Sequence, residues 1–167
     1  MTLSAKTRRA FVIAIAIFIV DQIVKWWVIG PMNLKMVKEV EVVSFFSFTW
    51  VENRGISFGM FTAGSDTARW ILTGITAIIA IGVAVWITRE KQWGDQFALS
   101  LVLGGALGNI VDRARFGYVV DYADLHFGDF RPFLVFNIAD AAISIGIVIL
   151  LLRAFFVRAP EEKKSNA

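Results

Sequence analysis

The stretch AFVIAIAIFIVDQIVKWWVI, residues 10–29, is unbroken apolar sequence as far as Val20 and then admits Asp21, Gln22 and Lys25 before closing on Trp26 and Trp27. A helix needs roughly 20 residues to cross a hydrocarbon core, so this run reaches span length only with those polar side chains inside. Three further runs lie downstream. Residues 70–87 contain no charge, residues 95–113 are bounded by Asp95 and by Asp112 with Arg113, and residues 134–153 reach span length only by taking in Asn137 and Asp140. With 57% hydrophobic and 19% charged residues, against about 25% charged in a soluble domain, the chain predicts an all-α membrane protein. We expect four transmembrane helices in one domain over residues 1–167, with a small extracytoplasmic β element and a disordered tail over 160–167.

Composition also narrows the chemistry. There is no cysteine, which removes thiol nucleophiles, disulfides and thiolate-bound metals, and the single histidine, His126, removes any multi-histidine metal site. Carboxylates remain the leading reactive groups, and neither cofactor nor metal is expected. The formal charge of +3 is small and the basic residues gather at the ends, which argues against nucleic-acid binding and for a topology signal. Lys6, Arg8 and Arg9 precede the first run, Arg89 and Lys91 follow the second, and Arg153, Arg158, Lys163 and Lys164 follow the fourth. Both termini and the loop after residue 89 are therefore expected in the cytoplasm, with residues 31–69 and 114–132 facing outward. Trp26, Trp27 and Val28 stand where a signal peptide would present small residues for cleavage, so the first run reads as a retained anchor.

The first outward segment is unlike a linker. Phe46, Phe48 and Trp50 alternate with Ser47, Thr49 and Val51, a period that predicts a strand or hairpin. Asn53, Arg54 and Gly55 then read as a turn, and Ser65 or Asp66 as a cap for the second helix. Residues 45–61 are expected to form a mobile cover over a site. The second outward segment reads as a loop, with Asp121 on it.

Topology and embedded polar residues converge. Asp21 and Lys25 fall in the outer half of the first helix, Asp112 and Arg113 at the outer end of the third, Asn137 and Asp140 at the outer start of the fourth, with Asp121 just before it. A carboxylate at a helix centre costs roughly 2.5–3.5 kcal/mol on insertion scales, so such residues mark a functional site or a buried pair. Each also has a structural reading. Asp121 alone reads as a solvated carboxylate, Asp140 as a partner for Arg113 or Lys25, and Asp21 with Lys25 as a pair sharing a helix face. Gly104 and Gly108 have the spacing of close helix packing, while Asn53, Asn109 and Asn137 suit either an extended peptide or a local turn.

Five ordered motifs decide between these readings. Asp21-Gln22-x-x-Lys25, Asn53-x-Gly55-x-x-Phe58, Gly104-Gly105-x-x-Gly108-Asn109-x-x-Asp112-Arg113, Val119-Val120-Asp121-Tyr122 and Phe136-Asn137-x-Ala139-Asp140 together resemble the lipoprotein signal peptidases. Tyr122 stands where phenylalanine is more usual, and Ile56 where alanine is. The resemblance implies an aspartyl endopeptidase that removes signal peptides from prolipoproteins by cutting before a diacylglyceryl-modified cysteine. It implies Asp121 and Asp140 as the catalytic pair, with Asp21, Lys25, Asn53, Gly55, Asn109, Asp112, Arg113 and Asn137 binding substrate or supporting the site. Its implied setting is the bacterial inner membrane, as a monomer among membrane lipids with the site toward the extracytoplasmic face. The rival readings are a proton-coupled carrier using the embedded acids as a relay, and a non-catalytic lipid-binding or assembly factor. A serine-type triad around His126 and Asp124 lacks a nucleophile motif.

Overall fold

A computed structural model describes residues 3–55 and 66–156. The elements are α1 (Ala5–Ile29), α2 (Leu34–Val37), β1 (Glu39–Val43), β2 (Phe46–Asn53), α3 (Asp66–Arg89), α4 (Trp93–Phe116), β3 (Val119–Leu125) and α5 (Ile138–Phe156). The four long helices are each long and apolar enough to cross a membrane. Helix α4 is mostly buried, packed against α5, α1 and α3, while the other three turn most of their residues outward. Many of those outward residues are Ile, Val and Leu, among them Val12, Ile78 and Val148, as a lipid-facing surface requires.

Lipid tails are as apolar as leucine, so helices associate in a membrane through close packing and polar contacts. Glycines on α4 provide the close packing. A side chain at Gly104 would strike the Ala14 carbonyl of α1, one at Gly105 the Ala139 carbonyl of α5, and one at Gly108 the Asp21 carboxylate. On α5, Gly146 meets the Ala98 carbonyl of α4 in the same way. Helix α4 ends at Gly117, whose φ of 84° is a left-handed cap. Its last carbonyls are taken by Arg69 of α3, which donates from Nε to Arg113 O at 2.9 Å and from Nη2 to Ala114 O at 2.7 Å.

Beyond that end lies an antiparallel sheet of order β1-β2-β3. Phe46, Phe48 and Trp50 of β2 pack with Trp27, Tyr118 and Tyr122. The alternation in the sequence thus marks a strand face that meets α1 and β3.

Two local readings are corrected. Asp121 lies in the middle of strand β3, since Val51 of β2 pairs with it on one side and Phe136 bridges Ala123 on the other. Packing on both sides buries Val119 through Asp124, so the strand shows no period-two polarity to betray it. The fourth long helix starts at Ile138, because the preceding residues run extended along β3 through that Phe136 bridge. The expected cover lies partly in β2, and residues 56–61 of it, with Ser65, Ile56, Phe58 and the tail over 160–167, lie outside the described residues.

Candidate active site

Three charges are buried together where α1 and α4 cross. Lys25 Nζ lies 2.9 Å from Asp21 Oδ2, one turn back on its own helix, and 2.8 Å from Asp112 Oδ2 on α4. All three side chains are 2% exposed or less. One cation between two carboxylates leaves net negative charge out of water, which demands further donors. Gln22 supplies two, to Asp21 Oδ2 at 3.2 Å and to Asp112 Oδ1 at 3.0 Å.

The other donors are backbone amides, and they define what the triad does. Ala139 N, in the first turn of α5, donates to Asp21 Oδ1 at 3.0 Å. Val120 N of β3 donates to Asp112 Oδ2 at 3.1 Å. Asp21 therefore caps α5 from another helix, as a carboxylate at a helix N-terminus should, and holds the residue next to Asp140. Asp112 holds the residue next to Asp121. Lys25 joins the two carboxylates and so joins the two acid-bearing elements.

Two asparagines complete the arrangement. Asn137 is the cap of α5: its Oδ1 accepts from Asp140 N at 2.9 Å, while its Nδ2 donates to Asp121 Oδ1 at 2.6 Å. Asn109 of α4 donates from Nδ2 to Asp140 Oδ1 at 2.8 Å. Its own Oδ1 lies 3.5 Å from Lys25 Nζ and 3.4 Å from Asn137 Nδ2. One oxygen of each aspartate is thus fixed by an amide that neither gains nor loses a proton near neutrality. Asn53, at the end of β2, also donates to Asp121, and its Oδ1 accepts from Gly55 N at 3.1 Å. Gly55, with φ 89°, forms the turn that presents Asn53 and does not itself reach the acids.

Asp121 is only 2% exposed. Burial pushes its carboxyl up to about 7, the neighbouring Asp140 charge adds to the rise, and the hydrogen bonds from Asn53 and Asn137 oppose it. Arg113, one residue past Asp112, lies within electrostatic reach of Asp140, Asp121 and Asp112, and its buried Nε has no partner among the described residues. A buried carboxyl poised near neutrality, a second carboxylate beside it and a guanidinium at their edge can move a proton and stabilise negative charge. Among the described residues no cluster of three or more His, Asp or Glu is arranged to hold a metal.

All ten residues singled out in the sequence therefore gather at one end of the bundle, nine of them in one electrostatic cluster and Gly55 behind Asn53. Sequence reasoning missed the roles of Gln22 and of the Val120 and Ala139 amides. Gln22 was visible beside Asp21, but a backbone donor carries no sequence signal. Away from the cluster, Ser47 Oγ lies 3.0 Å from His126 Nε2. Ser47 is 1% exposed, so this pair is a part-buried hydrogen bond that ties β2 to the residue following β3.

Similarity to known proteins bears on the whole chain. The profile of the family described as Signal peptidase (SPase) II matches residues 13–156. A lipoprotein signal peptidase of Sphingopyxis alaskensis is 54% identical over 90% of this chain and 87% of its own length. One of Rhizorhabdus wittichii is 53% identical over 93% and 91%. A solved bacterial membrane enzyme superposes with a TM-score of 0.79 at 27% identity, covering 100% of this chain and 99% of its own. A second does so with 0.74 at 32% identity, over 89% and 93%. A multi-pass membrane protein with this sequence and this fold belongs to the signal peptidase II family.

Proposed function

We propose that this chain is a lipoprotein signal peptidase of the aspartic type, cutting prolipoproteins before a diacylglyceryl-modified cysteine with Asp121 and Asp140 as the catalytic pair. Family membership supports the removal of signal peptides from prolipoproteins. The observation that carries the aspartic mechanism is Asp121 itself, buried on a strand beside Asp140 with its carboxyl near neutrality. Two adjacent carboxylates share one proton more readily than they ionise together. The charged partner takes a proton from water as the water attacks the scissile carbonyl, and the protonated partner polarises that carbonyl and then supplies the leaving amine. Because the pair titrates as a unit, the roles of base and acid belong to the dyad.

The remaining residues serve this chemistry. Asn109 and Asn137 hold one oxygen of each aspartate in place, Asn53 steadies Asp121 from β2, and Asp21, Lys25 and Asp112 fix the two elements that carry the pair. Arg113 is placed to meet charge that develops on the substrate carbonyl. By the basic-residue bias both termini face the cytoplasm and the site faces outward, where a lipid-anchored cysteine holds its peptide bond close to the membrane surface. We take the working unit to be a monomer surrounded by membrane lipids. The carrier reading finds no support: the embedded acids of the cluster sit at one end of the bundle, and Asp95 at the other end is paired with Arg153 at 2.8 Å.

The test is incubation of the purified protein with a diacylglyceryl-modified precursor and with its unmodified counterpart, followed by mass measurement. A product beginning at the lipidated cysteine is expected from the first alone. An intact lipidated precursor, or cleavage elsewhere, would remove the proposal.

A further inference from the structure

At the end of the bundle opposite the aspartates, a cavity of about 760 Å³ opens between the start of α1 and the turn from α3 to α4. Gln96, which borders it, precedes Asp112 by sixteen residues on α4, about 24 Å at the helical rise. The cavity therefore sits at the other membrane interface. We propose that it binds the headgroup of an anionic phospholipid bearing a hydroxyl donor, the chemistry of a phosphatidylglycerol.

Charge comes first. Lys6, Arg89 and Lys91 line the cavity. One carboxylate, Glu90, lines it as well, with Oε1 accepting from Lys91 N at 2.8 Å and Gln92 N at 2.9 Å, so three cations stand against one anion. The start of α1 adds to the positive field, because its first turn holds no acidic residue to offset the helix dipole.

Gln96 then selects the headgroup. It is 1% exposed, and its Nε2 is locked on Glu90 O at 2.8 Å, Ile87 O at 3.1 Å and Thr7 Oγ1 at 3.3 Å. That orientation leaves its Oε1 buried without a donor among the described residues, a costly state for a carbonyl. An ionised phosphodiester has no hydrogen to give it, but a glycerol hydroxyl on that phosphodiester does. Helices α1 and α3 make few contacts with each other, and Val85 and Trp86 of α3 are exposed close by, which leaves an apolar path for acyl chains. Basic pockets between membrane helices are recurrent sites for anionic headgroups.

Native mass spectrometry of the full chain in detergent tests this with dioctanoyl lipids of three kinds. Phosphatidylglycerol has charge and hydroxyl, phosphatidylmethanol has charge alone, and phosphatidylcholine has neither net charge nor donor. The wild type should retain one phosphatidylglycerol in preference to phosphatidylmethanol, and both in preference to phosphatidylcholine. Lys6→Gln, Arg89→Gln and Lys91→Gln should each weaken phosphatidylglycerol about fivefold, and together on the order of a hundredfold. Equal retention of phosphatidylglycerol and phosphatidylcholine by the wild type overturns the proposal without recourse to any variant. Equal retention of phosphatidylglycerol and phosphatidylmethanol shows that no hydroxyl is read at Gln96 and overturns the assignment of a hydroxyl-bearing headgroup. Binding of glycerol 3-phosphate as tight as that of the lipid would replace the lipid with a soluble phosphate and overturn the assignment. Because the readout is lipid retention, failure here leaves the peptidase reading untouched.

Discussion

Lys25→Met keeps the length and apolar stem of the side chain and removes only the ammonium group. Asp21 and Asp112 then lose their common partner, which stands 2.9 and 2.8 Å away in a place at most 2% exposed. Breaking a buried ion pair from one side costs about 3–5 kcal/mol, because a charge is left uncompensated. Here two carboxylates are left, with the Gln22, Ala139 and Val120 donors as their remaining support. The six tryptophans make fluorescence during unfolding in a rising mole fraction of sodium dodecyl sulfate a direct assay. The triple variant Asp21→Asn, Lys25→Met, Asp112→Asn removes the charges together, and it should recover most of the stability because no lone charge remains. Peptidase activity should fall further in Lys25→Met than in the triple variant, since two carboxylates without the ammonium between them repel and part the Ala139 and Val120 amides that they hold. If Lys25→Met unfolds within about 0.5 kcal/mol of the wild type, the range of ordinary surface changes, the triad is not what holds the site together.

Asp121→Asn and Asp140→Asn should each leave a folded protein that binds precursor but turns it over at least ~100-fold more slowly. The double variant should be barely slower than either, and near-normal turnover by either single variant removes that acid from the mechanism. Asp121 also sets a pH signature. Its folded value of about 7 stands above the ordinary aspartate value of 3.8, so the neutral form is favoured and its stability contribution is lost as pH rises from about 4 through 7. Asp121→Asn should therefore match the wild type near pH 4 and exceed it near pH 8, by at most about 4 kcal/mol. Equal stability at both pH values would mean that the carboxyl is not buried as described. Cysteine placed at Ser4 or Gln92, in a chain otherwise free of cysteine, should react with impermeant maleimide only from the cytoplasmic side. Labelling confined to the outer side would invert the topology.

Hydropathy and polar placement make the bundle legible in the sequence. A bilayer demands a run of about 20 apolar residues, and it makes each polar exception costly enough to be conspicuous. For that reason Asp21, Lys25, Asp112, Asn137 and Asp140 stand out, and a shared depth is expected for them from the basic-residue orientation and the helical rise together. The alternating aromatics of β2 were equally plain, because one face of that strand is apolar and the other is not. Motif resemblance supplied the pairing of Asp121 with Asp140, which spacing could not.

What the tertiary structure decided is who touches whom. The Asp21 cap on α5 joins residues 118 apart in sequence, and the Gln22 bridge to Asp112 joins residues 90 apart. No local pattern encodes such contacts, because they depend on how closely the glycines of α4 let α1 and α5 approach. Strand β3 was illegible for a related reason: it is buried by β2 on one side and Phe136 on the other, so neighbours rather than its own alternation define it. By itself the sequence determined a membrane bundle with its costly residues at one end, since solvent cost is a property of each residue and its depth. The fold determined that Asp21, Lys25 and Asp112 link the start of α5 to β3 while Asp121 and Asp140 lie in each other's field, since hydrogen-bond partnership is a property of atoms brought together from distant parts of the chain.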